Sequence, residues 1–159
     1  MKHLPKHLRP RWRYLAVTLE TWPDAELSER ALQRRLWFAA QNLLGDPGSA
    51  DADLTVIRSR FWTGGGEAIV RSRRGTVEEA RAALACIESI QDHPVRVAVE
   101  GTSGTVRAAE ENYLGGPAEA SREEQVVFRN DTAAAVIRED LADVEVAGSF
   151  VGATTRDLT

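Results

Sequence analysis

Cysteine occurs once, at Cys86, which excludes an internal disulfide framework and a cysteine-rich zinc site and suits a reducing, intracellular compartment. Histidine is nearly as scarce, with His3, His7 and His93 the full set. His3 and His7 stand four residues apart, but Pro5 between them opposes a regular helix and no third metal ligand is at hand. Cys86 falls inside an expected helix, away from any base or helix N-terminus that would activate a thiol, and reads as packing. The carboxylates are scattered over helix surfaces and the C-terminal stretch. No base, nucleophile and orienting group can be assembled from these parts, so a protein active site is not expected. No apolar run approaches membrane-spanning length, and the N-terminal stretch lacks the continuous apolar segment of a signal peptide; a soluble, cytoplasmic protein without membrane partners is expected. Only Lys2 and Lys6 among 20 cations are lysine, a bias that suits a GC-rich genome or a high-salt cytoplasm as well as any need for arginine.

The chain is long enough, at 159 residues and 43% hydrophobic, for one substantial core and an appendage. Its net charge of -4 is unevenly placed. Residues 1–115 carry 16 Lys+Arg against 15 Asp+Glu, whereas residues 116–159 carry 4 against 9. The acidity belongs to the tail. At the other end, Lys2, Lys6, Arg9, Arg11 and Arg13 precede the first acid, Glu20, and form a basic arm of the kind that seeks phosphates.

That arm runs into a strand. Leu15, Val17 and Leu19 alternate with Tyr14, Ala16 and Thr18, the period of a half-buried strand. Thr21-Trp22-Pro23-Asp24 ends it, and Ser28 is placed to cap a helix whose stripe is Leu32, Leu36, Ala39, Ala40, Leu43 and Leu44, closed by Gly45-Asp46-Pro47-Gly48. Phe38 projects on the polar side of that helix. Leu54–Trp62 and Glu67–Arg73 read as strands joined by the glycine-rich turn Thr63–Gly66, which lacks the lysine and the following helix of a P-loop. In the second strand Ala68, Val70 and Ser72 share one face, and Ile69, Arg71 and Arg73 the other. The register of the first is ambiguous, because Leu54 and Val56 share parity with Arg58 and Arg60. Thr76-Val77-Glu78-Glu79 reads as a capping box opening a second helix, with Val77, Ala80, Leu84 and Ile87 inward and His93-Pro94 at its end. Val95, Val97 and Val99 alternate through a further strand. Gly101–Arg107 then turns into a short helix with Val106, Ala109 and Tyr113 on one side.

This order predicts an α+β, ferredoxin-like split βαβ sandwich: a four-stranded antiparallel sheet, two main helices on one face, and a short C-terminal helix after them. The other face is expected to be open, with Trp12 and Tyr14 beside Arg71 and Arg73 on the central strands and Arg96 on a flanking one. Aromatics interleaved with arginines on such a face stack bases and hold phosphates. The turn Ser103-Gly104-Thr105, with Arg107, offers backbone N–H groups and a cation at a helix start. From Gly115 the composition shifts. Residues 1–114 are expected to be the ferredoxin-like domain, and 115–159 an acidic extension without a core of its own and with room for partial disorder, holding a short strand near Gln125–Phe128 and helix near Ala133–Ile137.

Three blocks, MKHLPKHLRPRWRYLAV, GGEAIVRSRRGTVEEARAALA and RVAVEGTSGTVRAAEENYLG, together resemble the family of protein component 2 of archaeal ribonuclease P, also found in the eukaryotic enzyme and its relative that processes ribosomal RNA. The resemblance covers about residues 1–114. It implies a subunit of the ribonucleoprotein endonuclease that removes the 5′ leader of precursor tRNA, in which RNA is the catalyst and magnesium sits on that RNA rather than on the protein. The implied partners are ribonuclease P RNA, precursor tRNA and a TIM-barrel-like protein component 3, in an assembly that could extend to a dimer of heterodimers. No catalytic or metal-binding residue is then expected in this chain. The RNA-contact candidates are Lys2, Lys6, Arg9, Arg11, Arg13, Tyr14, Arg71, Arg73, Ser103, Gly104, Thr105 and Arg107. Relatives often carry cysteine at the position of Ser72 and basic residues where this chain has Glu110 and Glu111, which weakens the case for RNA contact by the last helix. The alternatives are a ferredoxin-like domain that binds a regulatory small ligand, a generic RNA-binding module, against which the absence of an RNP-type aromatic motif speaks, and a pure interaction scaffold.

Overall fold

The computed structural model describes residues 5, 11–117, 122–138 and 140–158. Strand β1 (Trp12–Thr21) is central in the first sheet, antiparallel to β3 (Gly65–Arg73) on one side and to β5 (His93–Ser103) on the other. β2 (Thr55–Trp62) flanks β3, and the sheet order is β2-β3-β1-β5-β4. The first four of these are the ferredoxin-like order. The fifth, β4 (Ser89–Ile90), exceeds the four-stranded expectation: Gln91 and Asp92 both adopt positive φ, and the chain makes a tight hairpin into β5. Positive φ at both central positions matches the twist of paired strands. Accordingly α2 (Val77–Ala85) ends before Cys86, well short of His93-Pro94, and Cys86 is an exposed C-cap rather than a mid-helix residue.

Helices α1 (Glu29–Ala52) and α2 cover one face. Ser28 caps α1, its hydroxyl accepting from Ala31 N–H at 3.1 Å. Leu15, Val17 and Leu19 from β1 pack with Leu32 and Leu36 of α1 and Leu84 of α2, all essentially buried. The expected break at Gly45 is real, since its φ of 72° and ψ of 174° are not helical, but a helical turn resumes through Pro47 to Ala52. Leu43 is exposed rather than in the stripe. Thr76 forms no capping box: its hydroxyl donates to the Arg73 carbonyl at 2.7 Å and lies 2.8 Å from the Ser72 hydroxyl.

A bulge settles the ambiguous strand. Pairing shifts between Val56 and Arg58, so Val56 faces the core opposite Val70 while Arg58 and Arg60 face the other way, opposite Ile69 and Glu67. One extra residue lets like parity serve opposite faces. The second face is not left open. Helix α3 (Val106–Tyr113) lies on it, with Ala109 buried against Ala16 and Ile69, and Tyr14, Val106 and Leu114 around them. Gly101 makes this possible, because a Cβ there would stand 2.3 Å from the Tyr113 ring.

The C-terminal stretch folds into a second antiparallel sheet of β6 (Arg122–Phe128), β7 (Asp131–Arg138), β8 (Leu141–Val146) and β9 (Ser149–Thr154), followed by a 3-10 turn at Thr155–Asp157. Val126, Phe128, Ala135, Ile137, Ala142 and Val144 form an apolar cluster of its own. The expectation of a coreless tail with helix at Ala133–Ile137 is therefore corrected. Apart from Phe128, the inward residues of these short strands are small or branched, which suffices for a sheet face, and hairpins at Arg129-Asn130 and Ala147-Gly148 close with positive φ.

Candidate nucleic-acid interface

The candidate interface lies at one end of the second face. Register places Trp12 opposite Arg73 and Tyr14 opposite Arg71, as alternation in the sequence predicts. Trp12 carries both arginines: the Arg71 guanidinium carbon lies 4.0 Å from the centre of its ring and that of Arg73 5.5 Å. The strands remain tied past the last pair, with Arg74 N–H donating to the Arg11 carbonyl at 2.9 Å. Arg11, Arg73 and Arg74 are exposed and Arg13 and Arg71 half-buried. Arg13 belongs to the opposite parity, across from Ser72, and its side chain reaches Gly104. Among the described residues, the carboxylate paired with one of these five arginines is Asp53, 3.9 Å from Arg73, with both side chains nearly half exposed. An exposed pair at that distance contributes little, about 1 kcal/mol or less, and leaves the local charge strongly positive.

The remaining candidates divide. Tyr14 is half-buried beneath α3, so it supports that helix instead of offering a free ring. Ser103 lies opposite Tyr14 in β5. Gly104 and Thr105 form the exposed turn into α3, and the Thr105 hydroxyl is already engaged as N-cap, accepting from Ala108 N–H at 3.1 Å. Arg107 pairs with Glu111 at 2.8 Å, and Arg58 with Glu110 at 2.6 Å. The two acids that depart from the expected basic helix thus neutralise cations beside them. Lys2, Lys6 and Arg9 lie outside the described residues. Trp12, beside the arginines in the sequence pattern but absent from the candidates, proves to be the residue that organises them.

The other end of the same face is closed. Arg138 of β7 donates to Glu20 at 3.2 Å, to Asp143 at 2.9 Å, and to the carbonyls of Thr21 at 3.2 Å and Gly64 at 3.3 Å. Arg96 adds a contact to Asp143 at 3.4 Å. The second sheet is fastened there, with Trp22 meeting Phe150 edge to face at 5.4 Å. Burial pushes the Asp143 carboxyl up to about 6, the contact with the Glu20 carboxyl pushes the same way, and Arg96 and Arg138 pull against them. Glu67, buried opposite Thr18, pairs with Arg60 and accepts from Gly116 N–H at 3.3 Å. Among the described residues no group of three His, Cys, Asp or Glu is placed to hold a metal, and no described helix is long and apolar enough to cross a membrane.

Residues 13–114 match the model of the Rpp14/Pop5 family. The chain is 58% identical over 99% of both chains to a protein named ribonuclease P protein component 2 from Haloarcula marismortui. It is 57% identical to the protein of that name from Halobacterium salinarum, over 99% of this chain and 96% of the relative. It is 32% identical over 114 residues, 72% of this chain and 80% of the relative, to the one from Methanosarcina barkeri. The family match stops where α3 ends, whereas the haloarchaeal likeness runs on through the second sheet.

Proposed function

Because this chain belongs to the Rpp14/Pop5 family, we propose that it serves as a protein subunit of ribonuclease P, the ribonucleoprotein that removes the 5′ leader of precursor tRNA. The observation that carries this reading is the likeness over nearly the whole chain to proteins named ribonuclease P protein component 2. The geometry agrees with it in kind: a basic sheet end suited to RNA phosphates.

In this reading the catalyst is the RNA, and magnesium bound to that RNA activates the attacking water. The protein contributes by neutralising phosphates where RNA helices pack, through Arg11, Arg13, Arg71 and Arg73 together with Lys2, Lys6 and Arg9 of the arm. Ser103, Gly104, Thr105 and Arg107 lie on the adjoining turn and extend the contact, while Tyr14 acts from beneath α3. A TIM-barrel-like protein component 3 is its protein partner, with precursor tRNA as the shared substrate and a dimer of heterodimers as the larger assembly. The test is reconstitution with ribonuclease P RNA and component 3. The chain alone cleaves nothing, and its addition lowers the magnesium concentration needed for precursor tRNA cleavage. Reconstituted particles with the same magnesium requirement in its presence and absence contradict the proposal.

A further inference from the structure

Trp12 is half-buried, and its π surface is engaged by two guanidiniums, at 4.0 Å for Arg71 and 5.5 Å for Arg73. A base-stacking platform needs a free ring; this ring is holding arginines. Its effect on Arg71 is specific. Arg71 Nε is buried and has no hydrogen-bond partner among the described residues. The terminal nitrogens of Arg71 meet no carboxylate among the described residues, and Arg73 meets only the distant Asp53 at 3.9 Å. A guanidinium held over an indole without a carboxylate partner leaves its terminal N–H groups free to grip a phosphate with two parallel hydrogen bonds. Arg71 and Arg73 stand two residues apart on β3, so their side chains leave the sheet on the same face.

We infer that Arg71 and Arg73 form a cradle for one phosphodiester of RNA, and that Trp12 is the positioning residue that holds both guanidinium planes for it. The inference rests on the reading of the chain as an RNA-bound subunit and narrows it to an atom group. A polymer fits better than a mononucleotide, because Arg11 and Arg74, joined across β1 and β3 by the Arg74 N–H to Arg11 carbonyl bond, continue the positive edge past the cradle. Asp53, the nearby carboxylate, competes for Arg73.

The test is binding of the full chain to ribonuclease P RNA across a potassium chloride series, with a short oligouridine as second probe. Arg71→Gln lowers affinity roughly tenfold or more at low salt and makes the slope of log K against log salt shallower by about 0.7–0.9, the mark of one lost phosphate contact. Trp12→Leu reproduces the slope change, Trp12→Phe preserves wild-type behaviour, and adding Trp12→Leu to the double variant Arg71→Gln/Arg73→Gln weakens binding no further, because Trp12 acts through the two arginines. Arg71→Lys keeps the slope but loses affinity, since an ammonium cannot make the planar fork; this arm decides if Trp12→Leu fails to fold, which circular dichroism melting reports. A Trp12→Leu variant that loses affinity at unchanged slope marks a base-stacking site and overturns the cradle, as does an Arg71→Lys variant equal to wild type. Wild-type binding to oligouridine but not to ribonuclease P RNA, with the same variant pattern, leaves the cradle standing and removes the ribonuclease P reading. Binding to neither removes both.

Discussion

At the Trp12 end of the second face, Arg71 meets no carboxylate among the described residues and Arg73 meets Asp53, 3.9 Å away and nearly half exposed. At the Glu20 end, Arg96 and Arg138 are shared between Glu20 and Asp143, and a second sheet lies over them. The same side chain is used in opposite ways on one sheet. Beside the buried Asp143, arginine fastens two parts of the chain together; beside the Trp12 indole, Arg71 meets no carboxylate among the described residues. Composition alone does not separate these uses. The net charge of -4 conceals a basic end because the acids are concentrated in the tail and in pairs such as Arg58–Glu110 and Arg107–Glu111.

The comparison breaks most sharply at Arg138. Arg138→Ala leaves Asp143, 2% exposed, without its nearest cation, and loss of one partner of a buried pair costs about 3–5 kcal/mol. Chemical denaturation should show that loss, with the second sheet unfolding first, while RNA affinity stays at the wild-type value. Loss of RNA affinity in a folded Arg138→Ala protein would mean that the two ends are not separate.

Asp143 gives the next effect, through pH. Its folded value of about 6 stands above the ordinary 3.8, so the folded protein takes up a proton that the unfolded chain does not. Stability from this group therefore rises as pH falls from 7 through 6, and levels off below about 4, where the unfolded carboxyl is protonated as well. The gain is on the order of 2–3 kcal/mol over that window. Asp143→Asn should remove this component, so the difference in melting temperature between wild type and variant should change with pH. A constant difference from pH 7.5 to 5 would contradict the buried, proton-binding site.

Arg73→Gln and Asp53→Asn form an opposed pair with smaller effects. The first should weaken RNA binding by about 1–3 kcal/mol; the second should strengthen it by well under about 1 kcal/mol, because an exposed competitor at long range holds little. Both should leave the melting temperature nearly unchanged. The smallest effect belongs to Glu111→Gln. Arg107 and Glu111 are 86% and 61% exposed, so stability should move by less than about 0.5 kcal/mol, and RNA affinity should rise slightly if the turn before α3 faces RNA.

Much of this was legible in the sequence where one period governs a segment. Leu15, Val17 and Leu19 alternate cleanly, and that alternation placed Trp12 and Tyr14 beside Arg71 and Arg73 without a structure. The ferredoxin-like order followed from the succession of periods and turns. Harder to read were features made by a single residue or by distant parts. The extra residue in β2 inverts the parity on which the reading of Arg58 and Arg60 depended. The Gln91-Asp92 hairpin adopts positive φ without glycine, so its sequence looked like a helix end. The second sheet was missed because Ala133, Ala135 and Ala142 are weak signals, although Ala147-Gly148 and Arg129-Asn130 mark its hairpins and Val126–Phe128 is an apolar run. Nothing local in Arg138 indicates that it reaches Glu20, Thr21 and Gly64; that site exists only once the two sheets meet. Trp12 was visible beside the arginines, but whether its ring is free or engaged is a question of geometry.

The most direct test of the contrast between the two ends is tethered hydroxyl-radical cleavage of ribonuclease P RNA in the reconstituted particle. With the single exposed Cys86 replaced by alanine, an iron chelate is attached through Arg74→Cys at the basic end or through Leu141→Cys, 51% exposed on the second sheet. Strong, localised RNA cleavage from position 74 and none above background from position 141 is the expected result. Equal cleavage from both positions, or cleavage from position 141 alone, would contradict the assignment of RNA contact to the Trp12 end.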